Sequence, residues 1–280
     1  MSPARCSAGE SPATFSLMKK LLDSKWIFIL PSMFMVGLFS LPLLAVFLRS
    51  INPEFFNYAF SQKALSALKL SLLTSTVTTV CAMLFGTPLA YILAHWKMRF
   101  KSWLELLIDL PIVVPPSVAG LALLIAFGRR GLFGSTLSIL GISLPFTTAA
   151  VVIAQMFVAA PLYIRSARVG FRGIDRQLEE AANVEGANRW QLFREVMLPL
   201  ASRALISGAI LAWTRALGEF GATILFAGNL EGVTQTMPMA IYLGFESDRG
   251  VALALSVVLI VVSAVLLGIT RKIETQDERH

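Results

Sequence analysis

Two groups of residues could carry out work in this 280-residue chain. Arg215 and Glu219 are charges set within an otherwise apolar run, residues 203–226. Four residues apart, they fall on one face of a helix. If that run crosses a bilayer, each charge costs at least ~2.5–3.5 kcal/mol on insertion scales and must face a partner or a cavity. Two readings stay open. The pair neutralises itself and fixes helix packing, or both residues line a pathway. In the second, Arg215 favours a passing anion and Glu219 holds Arg215 in place or acts at a gate. Gly218 and Gly221 flank Glu219 and allow close helix contact or a bend.

The second group lies in a long polar, Arg-rich stretch, residues 165–202, with Glu180-Ala181-Ala182, then Gly186, then Leu198-Pro199. Asp175 suits an N-cap, with Glu179 and Glu180 early in the helix it starts. Gly186 ends that helix, being able to take a left-handed backbone. Asn188 caps a second helix, with Gln191 as its capping-box partner, and Trp190, Phe193, Val196 and Met197 recur at helical spacing. Pro199 is expected to stop or redirect the chain. One reading is an amphipathic helix on the membrane surface. Against it, the first helix is short, acidic and alanine-rich, a surface better suited to docking into a protein groove than to anchoring in lipid.

Material for catalysis is scarce. The histidines are His95 and His280, and the cysteines, Cys6 and Cys81, give neither metal spacing nor an evident disulfide. No Ser-His, His-rich or paired-carboxylate constellation occurs. The Gly-rich GRRGLFGS segment lacks the Lys of a phosphate-binding loop, so ATP cannot be bound and hydrolysed by that route. The chain reads as no enzyme. Asp109 and Glu105 near one helix end are expected to be solvated at the interface, and Arg129 and Arg130 to snorkel to headgroups or attract an anion or an acidic partner.

These residues need a membrane frame. The chain is 56% hydrophobic and only 15% charged, against about a quarter charged in soluble domains. Apolar runs at 26–48, 66–94, 104–127, 147–164, 203–226 and 251–270 are each near the length that crosses a ~30 Å core. The first is too long, and lacks the small-x-small site, for a cleavable signal peptide. Pro111, Pro115 and Pro116 kink the third run, and Pro88 is a candidate kink in the second. Residues 128–146 are read as a loop holding a short interfacial helix, and 227–250 as a polar loop. Met18-Lys19-Lys20 is a plausible alternative start to Met1. The net charge of +7 does not point to nucleic acid, because the basic residues cluster between the runs. With the N-terminus inside, the outer segments hold only Arg49, Lys63, Arg129, Arg130 and Arg249, and the long polar stretch alone holds seven basic residues on the inside. The seventh of these, Arg203, falls just past residue 202, so the count is for 165–203. The positive-inside bias therefore favours six helices with both termini and the 165–202 stretch in the cytoplasm.

The Glu180-Ala181-Ala182, Gly186, Leu198-Pro199 spacing resembles the EAA loop of importer-type ABC transporter permeases, over roughly residues 60–270. Gly128-Arg129-Arg130-Gly131, Leu217-Gly218-Glu219-Phe220-Gly221-Ala222-Thr223 and Thr234-Gln235-Thr236-Met237-Pro238 resemble the molybdate permease subunit most; sulfate and tungstate permeases have similar versions. Asn183 and Val184 stand where the loop varies, and the extra first helix is absent from some relatives.

The resemblance implies an all-α membrane protein with six transmembrane helices and a cytoplasmic coupling-helix loop between helices four and five. It implies a cytoplasmic tail at 1–25, a first helix and outer loop at 26–58, an ABC type-1 domain at 59–270 with its coupling loop at 165–202, and a cytoplasmic tail at 271–280. Glu180, Ala181, Ala182, Gly186, Leu198 and Pro199 are then ATPase-coupling residues, and Arg215 and Glu219 pathway residues. The implied partners are two ABC ATPase subunits, a second permease copy and an extracytoplasmic oxyanion-binding protein. The cargo is molybdate, or alternatively sulfate, thiosulfate or tungstate, crossing a prokaryotic plasma membrane. The chain itself needs no cofactor, since ATP and Mg²⁺ are bound by the partner ATPase. A secondary transporter, the rival class, needs a coupling-ion site in repeated halves, for which only Glu219 and Asp109 are candidates.

Overall fold

The computed structural model describes residues 25–96 and 98–277, which are helical with no strand among them. The expected tail at 1–25, with Cys6 and the Met18 start, lies outside the described residues except for Lys25, as does His280. The chain divides into two compact units after Ile51. The first contains helix α1 (Trp26–Arg49), 24 residues long, about 36 Å at 1.5 Å per residue. Ser32 and Ser40 in it donate their hydroxyls to the carbonyls of Phe28 and Val36 (2.6 and 2.7 Å), which keeps those groups satisfied in lipid.

The second unit begins with α2 (Phe55–Ala59) and α3 (Gln62–His95). It continues through α4 (Lys101–Val113), α5 (Pro116–Phe127), α6 (Gly134–Ile139) and α7 (Thr148–Arg172). Helix α8 (Arg176–Val184) precedes α9 (Arg189–Gln191), which passes through a π-helical turn (Leu192–Met197) into α10 (Leu198–Leu217). Helices α11 (Gly221–Phe226), α12 (Met237–Ser247) and α13 (Arg249–Asp277) complete it. Among the described residues, five helical spans are long and apolar enough to cross a membrane, or six if α4 and α5 count as one broken span.

Helix α7 is the hub, packed against α3, α4, α5, α10 and α11. Where lipid is the solvent, tight packing by small residues replaces the hydrophobic drive between helices. Ala82 and Ala90 of α3, Ala159 and Ala167 of α7, and Ala201, Ala212 and Ala216 of α10 form this buried seam with Tyr163 and Phe171. A polar stripe on α3 (Ser71, Thr74, Ser75, Thr78) is buried too. Ser71 Oγ accepts the Met237 N–H (2.7 Å) and Thr78 Oγ1 donates to Gln155 Oε1 (3.1 Å), joining α3 to α12 and α7.

Several boundaries differ from the sequence reading. The third run is not merely kinked: α4 and α5 meet at 117°. Val114 precedes Pro115 and is therefore extended (ψ 130°), while Pro116 opens the next helix. Pro199 does not stop its helix, because Arg189–Leu217 is one continuous span. Proline has no N–H to give to the residue four back, and the wider π turn just before it absorbs the mismatch. The span thus starts well before residue 203, and it ends at Leu217 rather than at 226. Pro88 does not interrupt α3. The polar loop expected at 227–250 contains helix α12, whereas the short helix expected within 128–146 is present as α6.

Candidate functional site

The segment between α7 and the next span is built by local capping. Asp175 Oδ1 accepts the Gln177 N–H (3.0 Å) at the start of α8. At its end Gly186 adopts φ +86°, and the Ala187 N–H reaches back to the Ala182 carbonyl (3.0 Å), the six-to-one bond of a Schellman ending. Asn188 and Gln191 form a complete capping box. Between two capped ends, α8 presents opposite faces. Leu178, Glu180, Ala181 and Val184 are exposed, Val184 at 89%. Ala182 packs onto the core with Phe193 and Val196. Of the expected apolar stripe, Met197 is fully buried and Trp190 is 65% exposed. Leu198 joins the same core. The six residues Glu180, Ala181, Ala182, Gly186, Leu198 and Pro199 are therefore not one patch: Glu180, Ala181 and Gly186 are exposed, while Ala182 and Leu198 lie on the core side.

Beneath α8 lies a charge clasp that spacing along the chain does not reveal. Arg168 and Arg172 of α7 both reach Glu105 of α4 (3.2 and 2.7 Å), and Arg168 also approaches Asp109 (3.8 Å). His95, at the end of α3, has Nε2 2.7 Å from Oε1 of Glu179 on α8. Glu105 and Asp109, expected to be solvated, are held by arginines instead. Their partners lie as far as 67 residues away, so only the packing of α4 on α7 brings them together. Tyr91, His95, Phe171, Phe193 and Trp190 form a ring cluster at His95 with centroids 4.7–6.5 Å apart, edge to face for Tyr91–Phe171, Tyr91–Phe193 and His95–Phe171 and tilted for the other pairs.

Arg215 and Glu219 do meet, Nη1 to Oε2 at 2.5 Å, but across a helix break rather than along one helix. Helix α10 ends at Leu217 and α11 begins at Gly221. Glu219 is 1% exposed and its other oxygen accepts the Ala222 N–H (2.9 Å). Arg215 is 31% exposed. The carboxylate is thus sealed in and the guanidinium is the half of the pair that reaches open space. At this break α11 lies against the start of α5 so closely that a Cβ on Gly120 would sit 2.7 Å from the Ala222 carbonyl oxygen, and one on Gly221 2.8 Å from Pro116.

Two further stretches fall into different settings. Thr234, Gln235, Thr236 and Met237 are buried; Thr234 Oγ1 accepts the Leu230 N–H (2.8 Å) and Ser71 accepts the Met237 N–H, so this stretch seats α12. Arg129 and Arg130 are exposed, and Arg129 lines a cavity of about 340 Å³ with Ser138 and Ser143. Among the described residues no group of three or more His, Cys, Asp or Glu could hold a metal ion.

Residues 86–276 match the family of binding-protein-dependent transport system inner membrane components. The chain belongs to that family. It is an integral membrane permease subunit of an ABC importer and not an enzyme; the ATPase is a separate chain. It is 42% identical over 88% of its length to the molybdenum transport system permease protein ModB of Mycobacterium tuberculosis, of which 93% is covered. It is also 33% identical over 76% of its length to the sulfate transport system permease protein CysT of Escherichia coli, 78% of which is covered. A solved bacterial ABC transporter involved in alginate import superposes with a TM-score of 0.75 over 95% of this chain and 99% of that one, at 16% identity, a likeness of fold.

Proposed function

We propose that this permease imports a tetrahedral oxyanion, molybdate, as a homodimer served by two ABC ATPase subunits and an extracytoplasmic binding protein. The similarity to molybdenum permeases along nearly the whole chain carries the choice of cargo. Sulfate is the second reading, favoured by the lower but extensive similarity to a sulfate permease. A dianion entering a cell at ~100 mV, negative inside, climbs about 4.6 kcal/mol before any concentration gradient, so accumulation needs an energy source. The described part of this chain offers few fixed cations for tight capture, which suits a division of labour in which the binding protein captures and the permease passes.

In this reading both termini and α8 are cytoplasmic, and the exposed face Leu178, Glu180, Ala181 and Val184 docks in a cleft of the ATPase, with Gly186, Leu198 and Pro199 shaping the loop behind it. ATP and Mg²⁺ are bound by the ATPase. ATP closure draws the two α8 helices together and opens the permease outward; the binding protein releases its anion, and hydrolysis restores the inward state. Arg215 gives the passing anion a transient positive contact, and Glu219, fixed by the Ala222 N–H, keeps that contact weak enough for release.

The deciding experiment is uptake of radiolabelled molybdate into proteoliposomes holding the full complex, with sulfate and tungstate as competitors. Uptake that requires ATP and resists excess sulfate supports molybdate. Preferential displacement by sulfate transfers the assignment to the second reading. Arg215→Lys should keep uptake but weaken discrimination, since a compact ammonium cannot reproduce the planar guanidinium; unchanged discrimination removes Arg215 from the pathway.

A further inference from the structure

Among the described residues, Glu179 is the α8 side chain whose charged group meets a side chain of a membrane span, its Oε1 lying 2.7 Å from a ring nitrogen. Its partner, His95, is the last residue of α3. Each member sits where its own helix favours it: a histidine in the last turn of α3, at the negative C-terminal end, and an acidic residue in the first turn of α8. Both ring nitrogens of His95 face acceptors, Nδ1 the Tyr91 carbonyl (3.2 Å) and Nε2 the Glu179 carboxylate. The ring thus bridges a carbonyl of its own helix and the α8 carboxylate. The pair therefore joins two helix ends end to end, and a bed of rings below it (Tyr91, Phe171, Phe193) resists sideways slip.

Helix α3 extends that joint a long way. Its 34 residues span about 51 Å at 1.5 Å per residue, more than the ~30 Å hydrocarbon core. At its other end it holds α12 through Ser71, and Lys63 pairs with Glu231 at 3.2 Å. A rigid element tied at both ends is a physical route for coupling between distant sites.

We propose that the His95–Glu179 pair is the strut by which motion of α8 is passed to α3, which acts as a lever reaching the opposite face. Glu179 and His95 are positioning residues: they face the core with Ala182, while the docking face points away. The inference rests on the reading of α8 as the ATPase-docking helix, and it adds that docking and transmission are carried by different faces of the same helix.

The test uses the reconstituted complex with its ATPase and binding protein, radiolabelled molybdate as the probe, and two readouts: ATPase co-purification, and molybdate transported per ATP hydrolysed. Glu179→Gln, which keeps shape, and His95→Ala should each leave the ATPase bound while transport per ATP falls on the order of tenfold, within the usual span of a coupling free energy. Exchange of the two residues, His95→Glu with Glu179→His, should restore the ratio in part, since each residue then opposes the dipole of its own helix. An unchanged ratio in the single variants overturns the strut. So does loss of ATPase binding along with transport, which places Glu179 in the docking face, and so does failure of the exchange to rescue. Leu178→Arg with Val184→Arg probes the docking reading separately. If that variant keeps its ATPase, α8 is not the docking helix, whatever the strut variants do.

Discussion

The charge clasp beside α8 and the Arg215–Glu219 pair use the same chemistry in opposite settings. In the clasp, Arg168, Arg172 and His95 meet Glu105, Asp109 and Glu179 from four different helices, at sites with residual access to water. In the pair, two residues of one short stretch meet across a helix break, and the carboxylate is sealed from solvent. Water screens the first set and shares its charge; among the described residues, Arg215 and the Ala222 N–H compensate the second. The clasp is therefore the cheaper of the two to disturb by a single substitution, whereas the pair behaves as a fixed pin that holds the α10–α11 break in shape.

Arg215→Ala is the strongest attack on that contrast. It strands a buried carboxylate, and removing one partner of a buried pair costs about 3–5 kcal/mol. The purified complex in lipid should show a large drop in melting temperature, and Glu219→Gln, which keeps an acceptor for the Ala222 N–H, a smaller one. Equal drops in both variants break the idea that the stranded charge sets the cost.

Next in size is Gly186→Ala, which touches no charge. An L-residue in the left-handed region costs ~1–2 kcal/mol, and Gly186 holds φ +86° with open space around it. The loss should appear as faster hydrogen exchange within α8, with the spans unaffected. Unchanged exchange in α8 means that the charge and core contacts, rather than the cap, hold the helix.

The capping of α8 was open to inspection in the sequence because a cap is local: Asp175, Gly186, Asn188 and Gln191 each act within a few residues. The i,i+4 relation of Arg215 and Glu219 was legible for the same reason, but not the break between them, since Gly218 and Gly221 permit a bend without dictating one. The clasp was not legible at all. Glu105 looks like any interfacial carboxylate until α4 is laid on α7, and His95 like a lone histidine until α8 folds back under α3. Helix α12 was hidden by its polar approach, Thr234-Gln235-Thr236, which is buried rather than solvated, with Thr234 holding the Leu230 N–H and the next residue, Met237, bonded to Ser71 of α3. The spans, five with the broken α4–α5 pair as a sixth, were legible because a hydrocarbon core imposes a length, although Pro199 misled, its helix surviving through a π turn.

Glu105→Gln sharpens the comparison from the clasp side. Two arginines share Glu105, so neutralising it loosens both, yet partial exposure limits the cost to roughly 1 kcal/mol. Its effect on melting should shrink with added salt, whereas that of Arg215→Ala should not, because buried pairs escape screening. A salt-insensitive Glu105→Gln defect means that the clasp is as dry as the pin.

The smallest effect is expected at Tyr58, which combines the two kinds of contact on the opposite side of the fold. Its hydroxyl lies 2.6 Å from Glu54, one turn before it, and 2.9 Å from Asp248, distant in sequence. Hydrogen bonding to Glu54 and then to Asp248 raises the phenol above its ordinary value of 10.0. A pKa raised on folding adds stability that is fully present below the unfolded value and is lost as pH rises through the folded one. The melting difference between wild type and Tyr58→Phe should therefore be small and flat up to about pH 10, then decline as pH rises further. A difference that grows above that pH means the phenolate, not the phenol, is the form held between these carboxylates, and that an exposed contact of this kind is not governed by its proton.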